Sequence, residues 1–497
     1  MEQLEVDVLV IGWGKAGKTL AGALGREGRT VAMVERSADM YGGTCINVAC
    51  VPTKDLVHSA AERRPEDNAQ QWFTQAVAGR DALIDKLRAR NHLMLAEIDT
   101  VTLVDGVARF VGPHEVEVAA GPDRLRIHAE SIVINTGTVP ATPDIDGLAT
   151  SARVYDSTSI QHVDPFPRRL VIVGGGYVGL EFAGMFAKFG SSVTVVDHHA
   201  ELMPREDRDV ADAVRALLQA SGVEFIMDSA AERITDTDES VVVGVRAAGS
   251  TRDVTADAVL IATGRRPVTA DLGLDAAGVV VDDRGYITVD DRLRTSVPGV
   301  YAVGDVNGGP QFTPVSLDDY RIVLDQFLDS GWRSTADRVA VPSTVFLTPP
   351  LARVGLNETQ ARPSGRDVLV AVKNVADIAA MPRPKILGDA RPDQGRRGSR
   401  HRPRARRDGV QRRRAGGHQS HRAGDAGGRH GEHAARRHLD APVEHRGAER
   451  GAGGARVHRS RRVIARRRRG STAGPVDIRR AEGPTARSPD ARPAPYR

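Results

Sequence analysis

Cys45 and Cys50 sit five positions apart in Gly42-Gly43-Thr44-Cys45-Ile46-Asn47-Val48-Ala49-Cys50-Val51-Pro52-Thr53-Lys54, and the 497-residue chain has no other cysteine. Closely spaced thiols serve either a metal or a redox exchange, and a metal site wants further Cys or His at ligand spacing. None is so placed. A reversible disulfide fits better, with Cys50 as a thiolate facing an electron carrier and Cys45 exchanging with substrate. Two buried structural thiols are the plainer alternative, because free cysteine is commonly buried. Lys54, a helical turn past Cys50, reads either as a solvated cation or as one that holds a thiolate or a reduced carrier electrostatically.

A carrier has to be held in place, and the elements around the thiols provide for that. Val6 to Ile11 is a nearly continuous apolar run, as expected of a parallel strand buried on both faces. It ends in Gly12-Trp13-Gly14-Lys15-Ala16-Gly17, a helical pattern follows to Arg26, and a second strand, Thr30 to Val34, ends in Glu35. Glycines for a tight turn, a helix N-terminus for a pyrophosphate and an acid for a ribose hydroxyl make a dinucleotide fingerprint. The construction returns as Leu170 to Val173, then Gly174-Gly175-Gly176-Tyr177-Val178-Gly179, a helix to Phe189, and a strand Ser192 to Val196 ending in Asp197. Either turn alone would pass for a tight strand-to-helix connection; with strand, helix and acid together they imply two dinucleotides. A carboxylate at the second acid favours a free 2′-hydroxyl, so Asp197 points to NAD(H) over NADP(H), with His198 and His199 able to soften the repulsion of a 2′-phosphate. Two further strands, Ala129 to Asn135 and Ala258 to Ala262, run into matching turns at Gly137 and Gly264. A third, Gly299 to Val303, delivers Gly304-Asp305, an acid placed either to meet a cofactor polyol or to cap the next helix.

Length allows roughly three domains at about 150 residues each and a sizeable core. The formal net charge of +5 suggests an anionic partner until it is located. From Gly395 onward there are about thirty Arg, no Lys and about nine acids, so an acidic body of roughly −15 precedes a tail of roughly +20. No run of eighteen or more apolar residues is available to span a bilayer, and the acidic start Met1-Glu2-Gln3-Leu4-Glu5 does not read as a signal peptide. A cytoplasmic protein is the expectation.

The Gly42 to Lys54 stretch resembles the redox-active helix of the class I pyridine nucleotide-disulfide oxidoreductases, the group of dihydrolipoamide dehydrogenase, glutathione reductase and mercuric reductase, and the likeness extends over about residues 4–393. Leu202 to Asp207 and Gln311 to Tyr320 look most like the reactive-chlorine-resistance flavoprotein branch. The resemblance implies an α/β fold with two Rossmann-like domains, divided as 1–155 and 271–335 for FAD, 156–270 for NAD(P), and 336–393 as the start of a dimerisation domain. It implies that Gly12, Gly14, Gly17, Glu35, Thr44, Gly137 and Asp305 bind FAD, and that Gly174, Gly176, Gly179, Asp197 and Gly264 belong to the nicotinamide nucleotide side. Cys45 and Cys50 would form the redox disulfide, and Lys54, paired with Glu181, would lie near the flavin N5. Hydride would pass from NADH to FAD, and electrons then to the disulfide and an acceptor: lipoamide or another small disulfide, Hg(II), Cu(II) or a quinone. No resident metal is implied.

Residues 394–497 depart from that pattern. They hold no Phe, Trp, Met or Lys and almost no periodic apolar positions, so a disordered tail is expected. The composition also looks like GC-rich DNA read out of frame. With silent positions free and the frame moved by one base, His401 to Gln411 can give Thr-Asp-Leu-Val-Leu-Gly-Ala-Thr-Val-Phe, and Ala441 to Gly453 can give His-Pro-Ser-Ser-Thr-Glu-Ala-Leu-Asn-Glu-Val-Leu. The second string resembles the family's C-terminal His-Glu signature, so a frameshift near Gln394 would remove the dimer interface and the catalytic dyad and impair thiol turnover. The contrasting expectation is an anionic-polymer binder that uses the Arg tail on RNA, which the acidic body and the lack of Lys oppose.

Overall fold

The computed structural model describes residues 2–378 apart from 248, 329, 330 and 366. The truncated end of the expected dimerisation domain, the Arg-rich tail and the shifted-frame segments lie outside the described residues.

Strand β1 (Glu2–Ile11), helix α1 (Lys15–Arg26) and strand β2 (Val31–Glu35) open the chain. β1 begins four residues before the apolar run because Glu2 to Val6 pair with Leu125 to Ala129 of a distant strand. Next come the turn α2 (Thr44–Asn47), α3 (Cys50–Glu62) and the long helix α4 (Ala69–Ala96). β3 (Val101–Asp105), β4 (Val107–Gly112), β5 (Glu115–Ala120) and β6 (Asp123–Ile134) complete most of the first sheet, and β7 (Thr138–Pro140) follows. The second unit holds β8 (Val154–Tyr155), β9 (Arg169–Val173), α5 (Tyr177–Phe189), β10 (Ser192–Val196), α6 (Arg208–Ala220) and β11 (Val223–Ile226). It continues with β12 (Ser229–Asp236), β13 (Val241–Ala247), β14 (Ser250–Ala256), β15 (Ala258–Ile261) and β16 (Arg265–Pro267). The last described part holds α7 (Leu274–Ala277), β17 (Val300–Ala302), α8 (Thr313–Phe327), the hairpin β18 (Pro342–Val345) and β19 (Leu351–Val354), and α9 (Glu358–Ala361).

The first sheet runs β3-β2-β1-β6, all parallel. The C-terminal half of β6 takes β17 in parallel, and its N-terminal half takes β5 and then β4 antiparallel. The second sheet is parallel throughout, β11-β10-β9-β15-β8, and β12-β13-β14 form a separate antiparallel layer. Both central strands, β1 and β9, are covered on both faces, which is why they read as unbroken apolar runs. The segment from residue 300 thus returns to the first sheet after the second has been completed, so the first unit is built from two stretches of chain.

One core matters most for the thiols. Leu56 and Ala60 of α3, Phe73 and Ala76 of α4, and Phe182, Phe186 and Phe189 of α5 belong to a single buried cluster. Phe73 lies 5.8 Å from Phe186 and 5.2 Å from Phe189, ring centre to ring centre. This packing fixes the cysteine-bearing helix against the helix of the second glycine turn.

Candidate functional site

Gly42 and Gly43 carry φ of 101° and 78°, a left-handed pair that turns the chain into α2. A side-chain carbon added at Gly43 would fall 2.7 Å from the Trp13 carbonyl oxygen, so this loop packs directly on the first glycine turn. Three side chains anchored on α4 hold the loop. Arg88 Nε donates to Asn47 Oδ1 at 3.1 Å, and Asn47 Nδ2 donates to the carbonyls of Tyr41 and Gly43, both at 3.0 Å. Arg80 donates to Gln161 Oε1 at 3.1 Å, and Gln161 Nε2 donates to the Val48 carbonyl at 2.9 Å. Asn91 accepts from Lys18 Nζ at 2.6 Å, and Lys18 also donates to the Gly42 carbonyl at 2.9 Å.

Cys45 and Cys50 are free thiols, each of which acts on the other's protonation. Cys50 opens α3, where the helix N-terminus favours negative charge, and its Sγ lies 3.5 Å from Thr313 Oγ1 at the start of α8. The hydrogen bond from Cys45 lowers the Cys50 thiol to about 6; burial opposes this, and Thr313 and the Lys54 charge add to it. The same contact and burial push Cys45 far up. One thiolate and one thiol result, the asymmetry that an exchanging pair requires.

Lys54 Nζ meets Glu181 Oε2 at 2.5 Å, and Glu181 Oε1 accepts the Phe346 backbone N–H at 2.8 Å. Lys54 Nζ also stands 4.7 Å from the centre of the Phe346 ring. The expected Lys-Glu pair is therefore formed across α3 and α5, and Phe346, just past β18, touches both partners.

At the first glycine turn, Gly12 has φ of 98° and a carbon added there would fall 2.5 Å from the Asn135 carbonyl oxygen. Asn135, buried at 5% exposure, accepts the Gly17 N–H at 2.9 Å and donates to the Val303 carbonyl at 2.7 Å. It ties the turn to both β6 and the returning chain. Glu35 accepts the backbone N–H of Trp13 at 3.1 Å and of Arg36 at 2.9 Å; burial raises its pKa against these donors.

At the second turn, Gly174 has φ of 112° with a carbon there 2.5 Å from the Ala262 carbonyl oxygen, and Gly179 packs its Cα onto the Gly174 carbonyl. A carbon at Gly176 would meet nothing within 4 Å, leaving that face open. Asp197 accepts the N–H of Gly175, and its Oδ1 accepts both the N–H of His199 at 2.8 Å and that residue's Nδ1 at 2.7 Å. Burial would raise the carboxyl; these donors outweigh it and hold the group below its ordinary value.

The two closing turns, which sequence treats separately, pair with each other: β7 after Gly137 and β16 after Gly264 form an antiparallel ribbon. On it, Arg265 Nε donates to Thr138 Oγ1 at 2.7 Å, and Thr138 Oγ1 donates to Asp305 Oδ2 at 3.0 Å. Asp305 does not cap a helix with its side chain. Burial raises its pKa, with Arg265 and Thr138 opposing, and it keeps acceptor capacity for a polyol. The close-packed cradle of Gly12, Gly14 and Gly43 together with this acid fits FAD, and the open Gly176 face with Asp197 fits a nicotinamide nucleotide. Thr44 starts α2, and its carbonyl accepts the N–H groups of Val48 and Ala49. Sequence reasoning assigns no role to Asn135, Thr138, Arg265, Gln161, Thr313 or Lys18; the local signals are the strand end at Asn135, the matching glycine turns that hold Thr138 and Arg265, and the Gln311 to Tyr320 segment that holds Thr313.

Residues 6–319 match the family described as pyridine nucleotide-disulphide oxidoreductase. The chain is 45% identical over 383 residues to the probable pyridine nucleotide-disulfide oxidoreductase RclA of Escherichia coli strain K12, covering 77% of this chain and 84% of that one. It is 31% identical to a dihydrolipoyl dehydrogenase of Geobacillus stearothermophilus (74% and 79% covered) and 34% identical to a mercuric reductase of Streptomyces lividans (72% and 77%). Among solved structures it is similar to the Cu(II) complex of the HOCl-induced flavoprotein disulfide reductase RclA from Escherichia coli, with a TM-score of 0.72, 44% identity, and 78% of this chain and 85% of that one covered.

Proposed function

This chain belongs to the pyridine nucleotide-disulphide oxidoreductases and is an FAD-dependent NAD(P)H oxidoreductase of the disulfide reductase type, and from that premise we propose that it takes its electrons from NADH and delivers them through Cys45 and Cys50 to a metal-ion or oxidant acceptor. The observation that carries the reading is the cysteine pair at the start of α3, with Cys50 Sγ 3.5 Å from Thr313 Oγ1 and Lys54, a turn on, bridged to Glu181. Bound in the first cradle, FAD supplies a two-electron relay between a reduced nicotinamide and a disulfide. The chain's own residues then divide the work. Lys54, fixed by Glu181, and the Thr313 hydroxyl hold Cys50 as a thiolate, which leaves Cys45 to meet the acceptor.

NADH is the proposed donor because Asp197, anionic and held by two backbone N–H groups, suits a free 2′-hydroxyl. Cu(II) is the favoured acceptor on two grounds: the similar Escherichia coli structure is described as a Cu(II) complex, and thiolates can reduce Cu(II) without a general acid. Two Cu(II) would each take one electron, the single proton on Cys45 would be released, and the Cys45-Cys50 disulfide would form. Family members are typically homodimers acting on small molecules. Among the described residues no helix is long and apolar enough to cross a membrane. Exchange with disulfides that need a protonated leaving thiol is expected to be slow, because the His-Glu signature is absent from the chain as written.

Anaerobic titration of the flavin-loaded protein with NADH, followed by thiol counting, tests the reading. Two new thiols should appear, and Cu(II) should reoxidise them faster than lipoamide does. Asp197→Asn should raise the KM for NADH about tenfold, or ~1.4 kcal/mol, without raising that for NADPH. Absence of new thiols would refute the disulfide route.

A further inference from the structure

Lys18 has so far only a structural place, gripping the Gly42 loop, yet it is 4% exposed in the first turn of α1. Both groups that its ammonium touches, the Gly42 carbonyl and Asn91 Oδ1, are neutral. No ion-pair partner stands beside it among the described residues, whereas Lys54, the other lysine near the thiols, has Glu181. Buried cations ordinarily pair, since an uncompensated one is costly to desolvate. The Gly42 carbonyl that Lys18 grips lies three residues before Cys45, in the glycine loop that delivers that thiol to the start of α2. Burial pushes Lys18 down to about 8, Lys15 adds to that, and Cys45 opposes it.

We propose that Lys18 is the counter-cation of the Cys45 thiolate: a positioning residue, anchored by Gly42 and Asn91, that makes Cys45 the nucleophile toward the acceptor. The inference rests on Cys45 and Cys50 being the redox pair. A hydride equivalent added to their disulfide yields one thiol and one thiolate, and Lys54 and Thr313 favour the thiolate at Cys50. Cys45 must then lose its own proton while burial and the neighbouring thiolate resist, and Lys18 is the cation set against them. In exchange with a small disulfide, Cys45 releases its proton to water and its thiolate bonds to one acceptor sulfur. The other sulfur departs as a thiolate and takes up a proton. The Cys50 thiolate closes on Cys45 and expels the second thiolate, so the protein disulfide is restored and the acceptor keeps both electrons.

The test uses the full chain with flavin bound, reduced anaerobically by NADH. Iodoacetamide labelling of Cys45 is followed by peptide mass spectrometry across pH for wild type, Lys18→Gln, Lys18→Met and Lys18→Arg. Lys18→Gln keeps a hydrogen-bond donor and loses the charge, so its profile should move up by about one pH unit, with labelling at pH 7.5 about tenfold slower. Lys18→Met should follow it, and Lys18→Arg should stay within about twofold of wild type. A Lys18→Gln profile that overlays wild type would overturn the proposal, as would variants that lose flavin with no shift in the profile. Failure of NADH to expose any new thiol in the wild type would instead overturn the redox-pair reading, so the two failures are distinguishable.

Discussion

Gly12 and Gly174 occupy equivalent places, each closing a central parallel strand at φ of 98° and 112°, and each tolerates no side chain because a carbonyl oxygen lies 2.5 Å from where its Cβ would be. What surrounds them differs. The first turn is fastened by the buried Asn135 side chain, which reaches both α1 and the returning chain at Val303, and by Gly43 of the thiol loop pressing on it. The second has its Gly175 N–H on the Asp197 carboxylate and Gly179 on the Gly174 carbonyl, but Ala262 stands where the first unit has Asn135, and its Gly176 face is open. Their acids differ likewise, since Glu35 is raised by burial while Asp197 is lowered by its donors. The contrast fits the proposal that the first turn retains its ligand and the second exchanges it, the division that a relay with a resident flavin and a diffusing nucleotide requires.

The largest effect should come from putting a methyl group into each turn. Gly12→Ala meets a strained φ and the Asn135 carbonyl together, and is expected to yield colourless protein, read as the flavin-to-protein absorbance ratio after gel filtration. Gly174→Ala should keep its flavin and raise the NADH KM more than tenfold. Loss of flavin from both variants, or from neither, would break the contrast.

Next in size is the fastening itself. Asn135→Ala leaves the Gly17 N–H and the Val303 carbonyl without their partners in a buried place, a cost of roughly 2–4 kcal/mol. Urea denaturation should show that loss together with weakened flavin retention. Ala262→Ser, at the corresponding position of the second unit, should change stability little, because that side chain bolts nothing.

What was legible beforehand follows the range of the interactions. The glycine turns, their acids and the cysteine segment are local patterns whose chemistry is written within thirty residues, and all fall on the expected strands, loops and helix starts. Asn135 was visible only as the end of a strand, because its partners lie 118 and 168 positions away. Helix α4 was not read at all: over 28 residues it buries only Phe73, Ala76, Arg80, Ile84 and Leu95, too sparse a stripe to stand out, and one of them is an arginine. Lys18 carries no sequence signal, because nothing in its neighbours announces that this lysine near a helix start is buried. The antiparallel β4-β5 addition to β6 escaped because a parallel α/β rhythm was expected there.

The smallest effect is also the most diagnostic of the difference between the acids, because their signs oppose. Glu35 has a folded pKa above its ordinary value, so between the two values the folded chain binds more protons than the unfolded one. Wild type should therefore lose stability relative to Glu35→Gln as pH rises above about 4.5 through that window. Asp197 has a folded pKa below its ordinary value, so its contribution is complete above about 3.8 and is lost as pH falls through the folded value. Wild type should gain on Asp197→Asn as pH rises through that lower window. Urea midpoints of both pairs across pH measure the two slopes. Slopes of the same sign would mean that the second carboxylate is not held by Gly175 and His199, and its claim to select a free 2′-hydroxyl would fall with it.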